Sequence, residues 1–172
     1  MARRSVRERP PGGRGPTGGA PGSEREGSAD RPILLVDTNV VLDVLLARAP
    51  WDAEGALLLD AIARGRAMGY VAARTVTTIH YIVERAKNRT AAVTVVGDLL
   101  LLLDVVPLDA ADFQRALALG LRDYEDAVQV AACLRVGADF LVTRNPRDFK
   151  GAPVATRSAG EVLALLTSSA AE

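Results

Sequence analysis

The sequence has few of the residues on which several common chemistries depend. It has 172 residues but only one cysteine and one histidine. Cys133 has no partner for an internal disulfide, which fits a reducing cytoplasm, and its neighbours on a predicted helix indicate a core position. There is no histidine and cysteine cluster for zinc. His80 alone gives no signal of Ser-His-Asp catalysis, and we expect it at the surface of a helix or half-buried there.

Long hydrophobic segments are also missing. Apolar runs such as Leu99 to Leu103 are far shorter than the roughly 20 residues that a bilayer crossing needs. The basic N-terminus is not followed by the apolar region of a secretory signal. We therefore expect no membrane partner and a cytoplasmic location.

The charge is balanced over the whole chain but not along it. Residues 1–31 hold seven Arg and four acids, whereas residues 32–172 hold 14 Lys or Arg and 17 Asp or Glu. A dedicated binder of duplex DNA is usually strongly basic, and a mildly acidic domain instead suits a pocket that collects cations. Nearly half of the residues, 49%, are hydrophobic, which is enough for one sizeable core.

Residues 1–31 are rich in Arg, Gly and Pro and are predicted to be disordered, because they cannot bury apolar surface. Two interpretations stay open. The segment is a solvated tail or the product of a start codon placed too early, or it is an arginine–glycine arm that tethers RNA. A stacking arm would favour aromatic residues between its arginines, and this segment has none.

Residues 32–172 alternate between predicted strands and helices, which favours an α/β class, a three-layer α/β/α fold with a mostly parallel central sheet. Ile33 to Val36 is a continuous apolar run, typical of a strand buried on both faces. Other predicted strands are 68–72, 105–106, 140–143 and an edge strand at 153–155. Helices are predicted after caps at Thr38, Asp52, Thr90, Asp109, Asp123 and Ser158, with a further helix over 75–86.

Two polar clusters fall where such a fold binds its ligands, outside the carboxyl ends of the strands, and a third opens a helix. Asp37-Thr38-Asn39 follows the first strand, and residues 144–148 follow the strand at 140–143. Residues 123–126 open the helix that leads into that strand. If the two strands are neighbours, all three clusters share one rim. Carboxylates that converge there need a cation between them, and oxygen ligands favour Mg²⁺ or Mn²⁺.

Each acid also has a plainer interpretation. Asp123 is a good helix cap, and Asp126 in the same first turn suits the helix dipole. Asp37 is harder to explain in this way, because a charge directly after four buried residues is costly unless it is paired or bound to a metal. Trp51 is either a packing residue or a platform for base stacking.

At these residues the chain resembles the PIN domain family, which includes the VapC-type toxins. Val36-Asp37-Thr38-Asn39-Val40 is similar to the opening strand of the family, and residues 123–129 are similar to its third motif, with the acid at Asp126. Residues 142–149 are similar to the closing motif. The resemblance covers about residues 33–166, and the ordered set of three motifs is more specific than any one of them.

The resemblance implies an endoribonuclease that depends on Mg²⁺ or Mn²⁺ and cuts single-stranded RNA, with a possible antitoxin partner and a possible homodimer. It implies metal binding by Asp37, Asp126 and Asp148, with Asn145 and Glu125 completing the catalytic set. The residues that it implies for substrate binding are Thr38, Asn39, Thr78, Asp123, Thr143, Arg144 and Arg147.

Two departures from the family pattern keep other functions open. The acid expected on the helix after the second strand falls near Thr78, and Asn145 stands where many members have Asp. Glu84, six residues after Thr78, faces elsewhere on a helix. A catalytically weakened module that binds RNA or protein is therefore the alternative. A phosphoryl-transfer domain with Asp37 as acceptor is disfavoured by Asn39 and by the positions of the two lysines.

Overall fold

The computed structural model describes residues 31–168, so the tail predicted at 1–31 lies, except for Arg31, outside the described residues. The strands of one sheet are β1 Ile33–Val36, β2 Met68–Ala72, β3 Asp104–Val106, β4 Phe140–Val142 and β5 Thr156–Arg157. Their order is β3-β2-β1-β4-β5, and every pairing is parallel. The first strand in the sequence is thus the central strand of the sheet.

Within residues 31–168, seven α-helices and one short 3₁₀ helix accompany the strands, and the last helix follows β5. They are α1 Thr38–Leu45, α2 Trp51–Ala63, α3 Ala73–Ala86, α4 Arg89–Leu102, α5 Ala110–Ala118, α6 Tyr124–Val136, the 3₁₀ helix Pro146–Phe149 and α7 Ala159–Ser168. None of the helices between residues 31 and 168 combines the length and the hydropathy that a membrane span requires.

The helices form two layers that cover the two faces of the sheet. Leu34 and Val36 pack into a large cluster with α1 to α4 and α7, whereas Leu35, between them, faces a second cluster with α6 and the 3₁₀ helix. Helix α5 packs against α6. The predicted three-layer α/β/α fold is therefore confirmed, and so is the burial of β1 on both of its faces.

Several element ends differ from the prediction by a few residues. Helix α1 is capped by Asp37 rather than Thr38, since the Asp37 carboxylate accepts from the backbone of Asn39. Helix α4 is capped by Asn88 rather than Thr90, and Asp52 lies in the first turn of α2 after Pro50. Near the starts of α1 and α4 more than one polar residue is available as a cap, whereas α2 follows Pro50 without a side-chain cap.

Two further corrections concern a helix start and a strand. Helix α3 begins at Ala73, directly after β2, and not at Thr75. The edge strand is Thr156–Arg157 and not 153–155, because its register is set by pairing with β4. The caps predicted at Asp109, Asp123 and Ser158 are confirmed.

Candidate active site

The site is built on the two central strands at the edge where both end. Strands β1 and β4 are parallel neighbours in which Val36 is level with Val142. The next residues, Asp37 and Thr143, therefore lie side by side, and the Asp37 amide donates to the Val142 carbonyl at 2.9 Å. Both side chains are buried, with Asp37 3% and Thr143 0% exposed. Residues 106 positions apart thus meet at one rim.

Neutral donors hold the carboxylate of Asp37. Thr143 Oγ1 donates to Oδ2 at 2.8 Å, and Gln129 Nε2 donates to Oδ1 at 3.2 Å. Asn39 adds a longer backbone bond of 3.4 Å to Oδ1. Thr143 is itself oriented by the backbone amide of Asn145, which donates to its hydroxyl at 3.1 Å. These bonds fix the carboxylate in place and leave its negative charge without a positive partner among residues 31–168.

Asp126 lies in the first turn of α6, where its surroundings raise the pKa of its carboxyl group. Partial burial raises its pKa first, and the charges of Asp123, Asp148, Asp37 and Glu125 raise it further, to about 6. Repulsion of this kind arises where several carboxylates share one region without a cation. Because the charge of Asp37 contributes to the raised pKa of Asp126, the two side chains lie within electrostatic reach of each other.

An open groove of about 550 Å³ runs beside Asp126. Its lining is Gly120, Leu121, Arg122, Asp123, Asp126, Arg147, Asp148 and Lys150. Three acids and three cations therefore line one depression at the carboxyl end of the sheet. Acids can hold a divalent cation, and cations can hold the phosphates of a nucleic acid.

Three residues that were predicted for the site do not line the groove beside Asp126. Arg144 Nη1 donates to both carboxylate oxygens of buried Asp43, at 2.7 and 2.9 Å, and its guanidinium lies 4.8 Å from the centre of the Trp51 ring. Glu125 forms an ion pair with Arg74 and lines a separate apolar groove. These contacts turn both side chains away from the groove beside Asp126.

The third such residue, Thr78, is half-buried on α3, and the site contact on that helix comes from Thr75 instead. Thr75 is 2% exposed, and its hydroxyl shares a 2.9 Å hydrogen bond with that of Thr38. The hydrogen bond from α3 to α1 is therefore made three residues before the position at which the family resemblance implies an acid. A threonine occurs at both positions, so neither brings the missing charge.

Sequence reasoning also missed Gln129, although the sequence contains a signal for it. Helix α6 is buried continuously from Ala127 to Cys133, and Gln129 is the polar residue within that stretch. A polar side chain in a buried helix segment needs hydrogen-bond partners, and Asp37 is one. The groove cations Arg122 and Lys150 had no comparable signal.

His80, Cys133 and Trp51 occupy ordinary structural positions. His80 lies on α3 with its ring 3.8 Å from Glu84, and it does not line the groove beside Asp126. Cys133 is buried, and burial raises the pKa of its thiol to about 12, so the thiolate is disfavoured. Trp51 begins α2 and stacks under Arg144.

No three His, Cys, Asp or Glu side chains within residues 31–168 meet closely enough to form a ready metal cluster. The groups that could hold an ion are the pair Asp37 and Asp126, with Asp148, which lines the same groove as Asp126. A set of two carboxylates fits Mg²⁺, which is usually held by one or two carboxylates and keeps several waters. It does not fit an ion that requires a complete cage of protein ligands.

Comparison with known proteins identifies the family. The PIN domain family matches residues 33–147 of the sequence. No curated protein matches the sequence significantly.

Solved structures share the fold at low sequence identity. VapBC-1 from nontypeable Haemophilus influenzae is 13% identical with a TM-score of 0.59, over 74% of this chain and 98% of its own. VapBC2 from Rickettsia felis, bound to a promoter DNA fragment, is 15% identical with a TM-score of 0.57, over 73% and 98%. VapC20 from Mycobacterium tuberculosis, a Sarcin-Ricin loop cleaving toxin, is 16% identical with a TM-score of 0.52, over 63% and 86%. With the family match over most of the described residues, this chain belongs to the PIN domain family.

Proposed function

We propose that this protein is an endoribonuclease that cuts single-stranded RNA with the help of Mg²⁺ or Mn²⁺. One observation carries the proposal. Asp37 is a buried carboxylate without a positive partner among the described residues, and it lies within electrostatic reach of Asp126, whose pKa is raised to about 6. Such an arrangement is costly in the metal-free protein and is relieved when a cation binds between the two groups.

The residues present fit a magnesium-like ion. Asp37 and Asp126 would hold it, and Asp148 would assist through a water molecule or a second ion. When bound, the ion neutralises charge on the scissile phosphate and lowers the pKa of a water molecule. Asn145 lies where a further carboxylate is common in the family, and its amide oxygen could add a neutral ligand.

The remaining groove residues would bind and orient the RNA. Arg122, Arg147 and Lys150 line the groove beside the acids, where they can contact the phosphates on either side of the scissile bond. Thr143 and Gln129 keep the Asp37 carboxylate in one orientation. Because Arg144 is paired with Asp43, we assign it to holding the loop after β4 rather than to direct contact with RNA.

The family also suggests a biological setting. The structural neighbours include VapBC complexes, and one neighbour is described as a Sarcin-Ricin loop cleaving toxin. We propose that this chain is the toxin of a toxin–antitoxin pair in the cytoplasm, with an antitoxin protein that blocks the groove and a homodimer as the assembly. A small antitoxin frame beside the gene would support this setting.

A second candidate function is an RNA-binding or protein-binding module that does not cut. The specific observation in its favour is the small number of charges at the site. Threonine occupies both Thr75 and Thr78, and Asn145 brings no charge. In that case the cations of the groove would still bind RNA, and the metal would be weakly held or absent.

The test is cleavage of labelled single-stranded RNA, and of DNA of the same sequence, by purified wild-type protein and by Asp126→Asn. We expect cleavage of RNA with Mn²⁺ or Mg²⁺, no cleavage with EDTA, and little or none by the variant. Cleavage that is equal in the wild type and the variant would refute the proposal that this site cuts RNA. RNA binding without cleavage by either protein would favour the non-cutting module.

A further inference from the structure

Gln129 is a polar side chain that the fold buries beside the acids without satisfying all of its hydrogen-bonding groups. It is 9% exposed and lies between Val128 and Val130 on α6. Its Nε2 donates to Asp37 Oδ1 at 3.2 Å. Its Oε1 is the one buried side-chain oxygen or nitrogen of residues 31–168 that has no hydrogen-bond partner. Native proteins rarely leave such an atom unpaired, so each case calls for a specific explanation.

The position of the unpaired oxygen points to the region between the acids. Gln129 is three residues after Asp126, so the two side chains lie on the same face of α6. Its amide nitrogen contacts Asp37, and an amide carries its oxygen and nitrogen on the same carbon atom. The free acceptor is therefore held close to both carboxylates that would bind the ion.

We infer that Gln129 is a positioning residue of the metal centre, whose amide nitrogen orients Asp37 and whose oxygen accepts a hydrogen bond from a water molecule in the hydration shell of the ion. This inference rests on the proposed function, because it assumes an ion between Asp37 and Asp126. Mg²⁺ keeps several of its waters when proteins bind it, and those waters need acceptors.

The chemistry of the side chain also explains why a neutral residue suits this position. An arginine or lysine that donated to Asp37 would neutralise it, as Arg144 neutralises Asp43. A glutamine donates a hydrogen bond without adding a positive charge. It therefore holds the carboxylate in place and leaves its charge for a cation.

The test compares Mn²⁺ affinity among folded variants, measured by electron paramagnetic resonance of free Mn²⁺. Gln129→Met keeps the length of the side chain and removes both polar groups. Gln129→Glu keeps an acceptor, removes the donor and adds a negative charge. Thr143→Val is the matched control, because it removes a different donor from Asp37 and leaves Gln129 intact.

We expect Gln129→Met to weaken Mn²⁺ binding about 10–100-fold, the usual cost of losing a group that supports a metal ligand. The loss should exceed that in Thr143→Val, because an acceptor is lost together with a donor. Gln129→Glu should bind Mn²⁺ at least as tightly as the wild type, since its new charge faces the ion. Without metal it should melt at a lower temperature, since the same charge repels Asp37 and Asp126.

The opposite results would overturn the inference. If Gln129 served only to orient Asp37, Gln129→Met would lose no more Mn²⁺ affinity than Thr143→Val, because each variant would then remove one donor from Asp37. If Gln129→Glu does not fold, the decision rests on Gln129→Met, and a loss no greater than that of Thr143→Val counts against the acceptor role. If the wild-type protein cuts RNA with Mn²⁺ and Gln129→Met binds Mn²⁺ as tightly as the wild type, this inference is refuted. The proposed function is not refuted by that result. A wild-type protein without Mn²⁺ affinity would refute the proposed function as well.

Discussion

Asp37 and Asp43 lie six residues apart and are both buried, with exposed fractions of 3% and 1%, yet the fold treats their charges in opposite ways. Asp43 contacts the guanidinium of Arg144 at 2.7 Å and lies 3.6 Å from that of Arg48. Asp37 receives hydrogen bonds from the neutral groups of Thr143 and Gln129.

A third buried acid, Asp112, follows the pattern of Asp43. Two arginines, Arg115 and Arg135, pair with it at 3.1 and 2.7 Å. Among the described residues, Asp37 is thus the buried acid that the chain does not neutralise. Burial of a charge identifies a structural constraint, and burial without a counter-charge is what identifies a candidate site for an external cation.

The largest effect is expected from Asp37→Asn. This change removes the uncompensated charge and keeps the shape of the side chain and its helix cap. Mn²⁺-dependent cleavage of RNA should fall by more than the roughly 10–100-fold that the loss of a supporting group costs. The free energy of unfolding without metal should stay equal or rise. If Asp37→Asn cuts RNA at the wild-type rate, the absence of a counter-charge at Asp37 does not distinguish it functionally from Asp43.

The matched change Asp43→Asn should affect stability instead. It leaves the guanidinium of Arg144 partly buried without its counter-charge, which costs about 3 kcal/mol when an internal ion pair is broken. Urea denaturation in EDTA measures this loss. The affinity of the folded protein for Mn²⁺ should change much less than in Asp37→Asn. A stability equal to that of the wild type would show that the pair does not hold the loop after β4.

An intermediate effect is expected from pH, through Asp126. Its pKa is raised to about 6, so a proton competes with the metal, and Mn²⁺ affinity should fall as pH drops below about 6. Without metal the sign for stability is opposite. The folded form holds this proton more tightly than the unfolded form, so stability is greatest below the unfolded pKa and declines as pH rises to about 6. Asp126→Asn should abolish both dependences, and calorimetry with and without Mn²⁺ measures them.

The smallest effect is expected from Trp51→Leu. The change removes the aromatic ring under the Arg144 guanidinium and leaves the Arg144–Asp43 ion pair in place. A contact of this kind at a partly exposed site contributes about 0.5–1 kcal/mol, so the free energy of unfolding should decrease by about that amount. Metal affinity and cleavage should not change. A loss of cleavage would instead support the base-stacking interpretation of Trp51.

The fold could be predicted largely from local patterns. The run Ile33 to Val36 indicated a strand covered on both sides, and the structure places it at the centre of the sheet. A glycine is a common helix end, and Gly137 ends α6 in the left-handed conformation, with φ of 63°. The errors fall at positions such as 153–155, where pairing with β4 rather than local propensity sets the boundary.

The site was harder to predict, because a motif gives the order of residues and not the direction of their side chains. Arg144 lies two residues after the end of β4 and was expected to bind substrate, yet its side chain contacts Asp43. The helix contact near the site is made by Thr75, three residues before the position that the family pattern suggested. Whether Asp126 and Asp148 bind metal stays a prediction.

The sequence by itself determined the alternation of strands and helices, and with it the placement of Asp37 at the end of a buried strand, because hydrophobic periodicity and capping act over neighbouring residues. Only the tertiary structure decided which buried acid has a counter-charge. Arg144 is 101 residues from Asp43, and Gln129 is 92 residues from Asp37. Electrostatic energy depends on the distance between charges and on their burial, and both are known only from the folded structure.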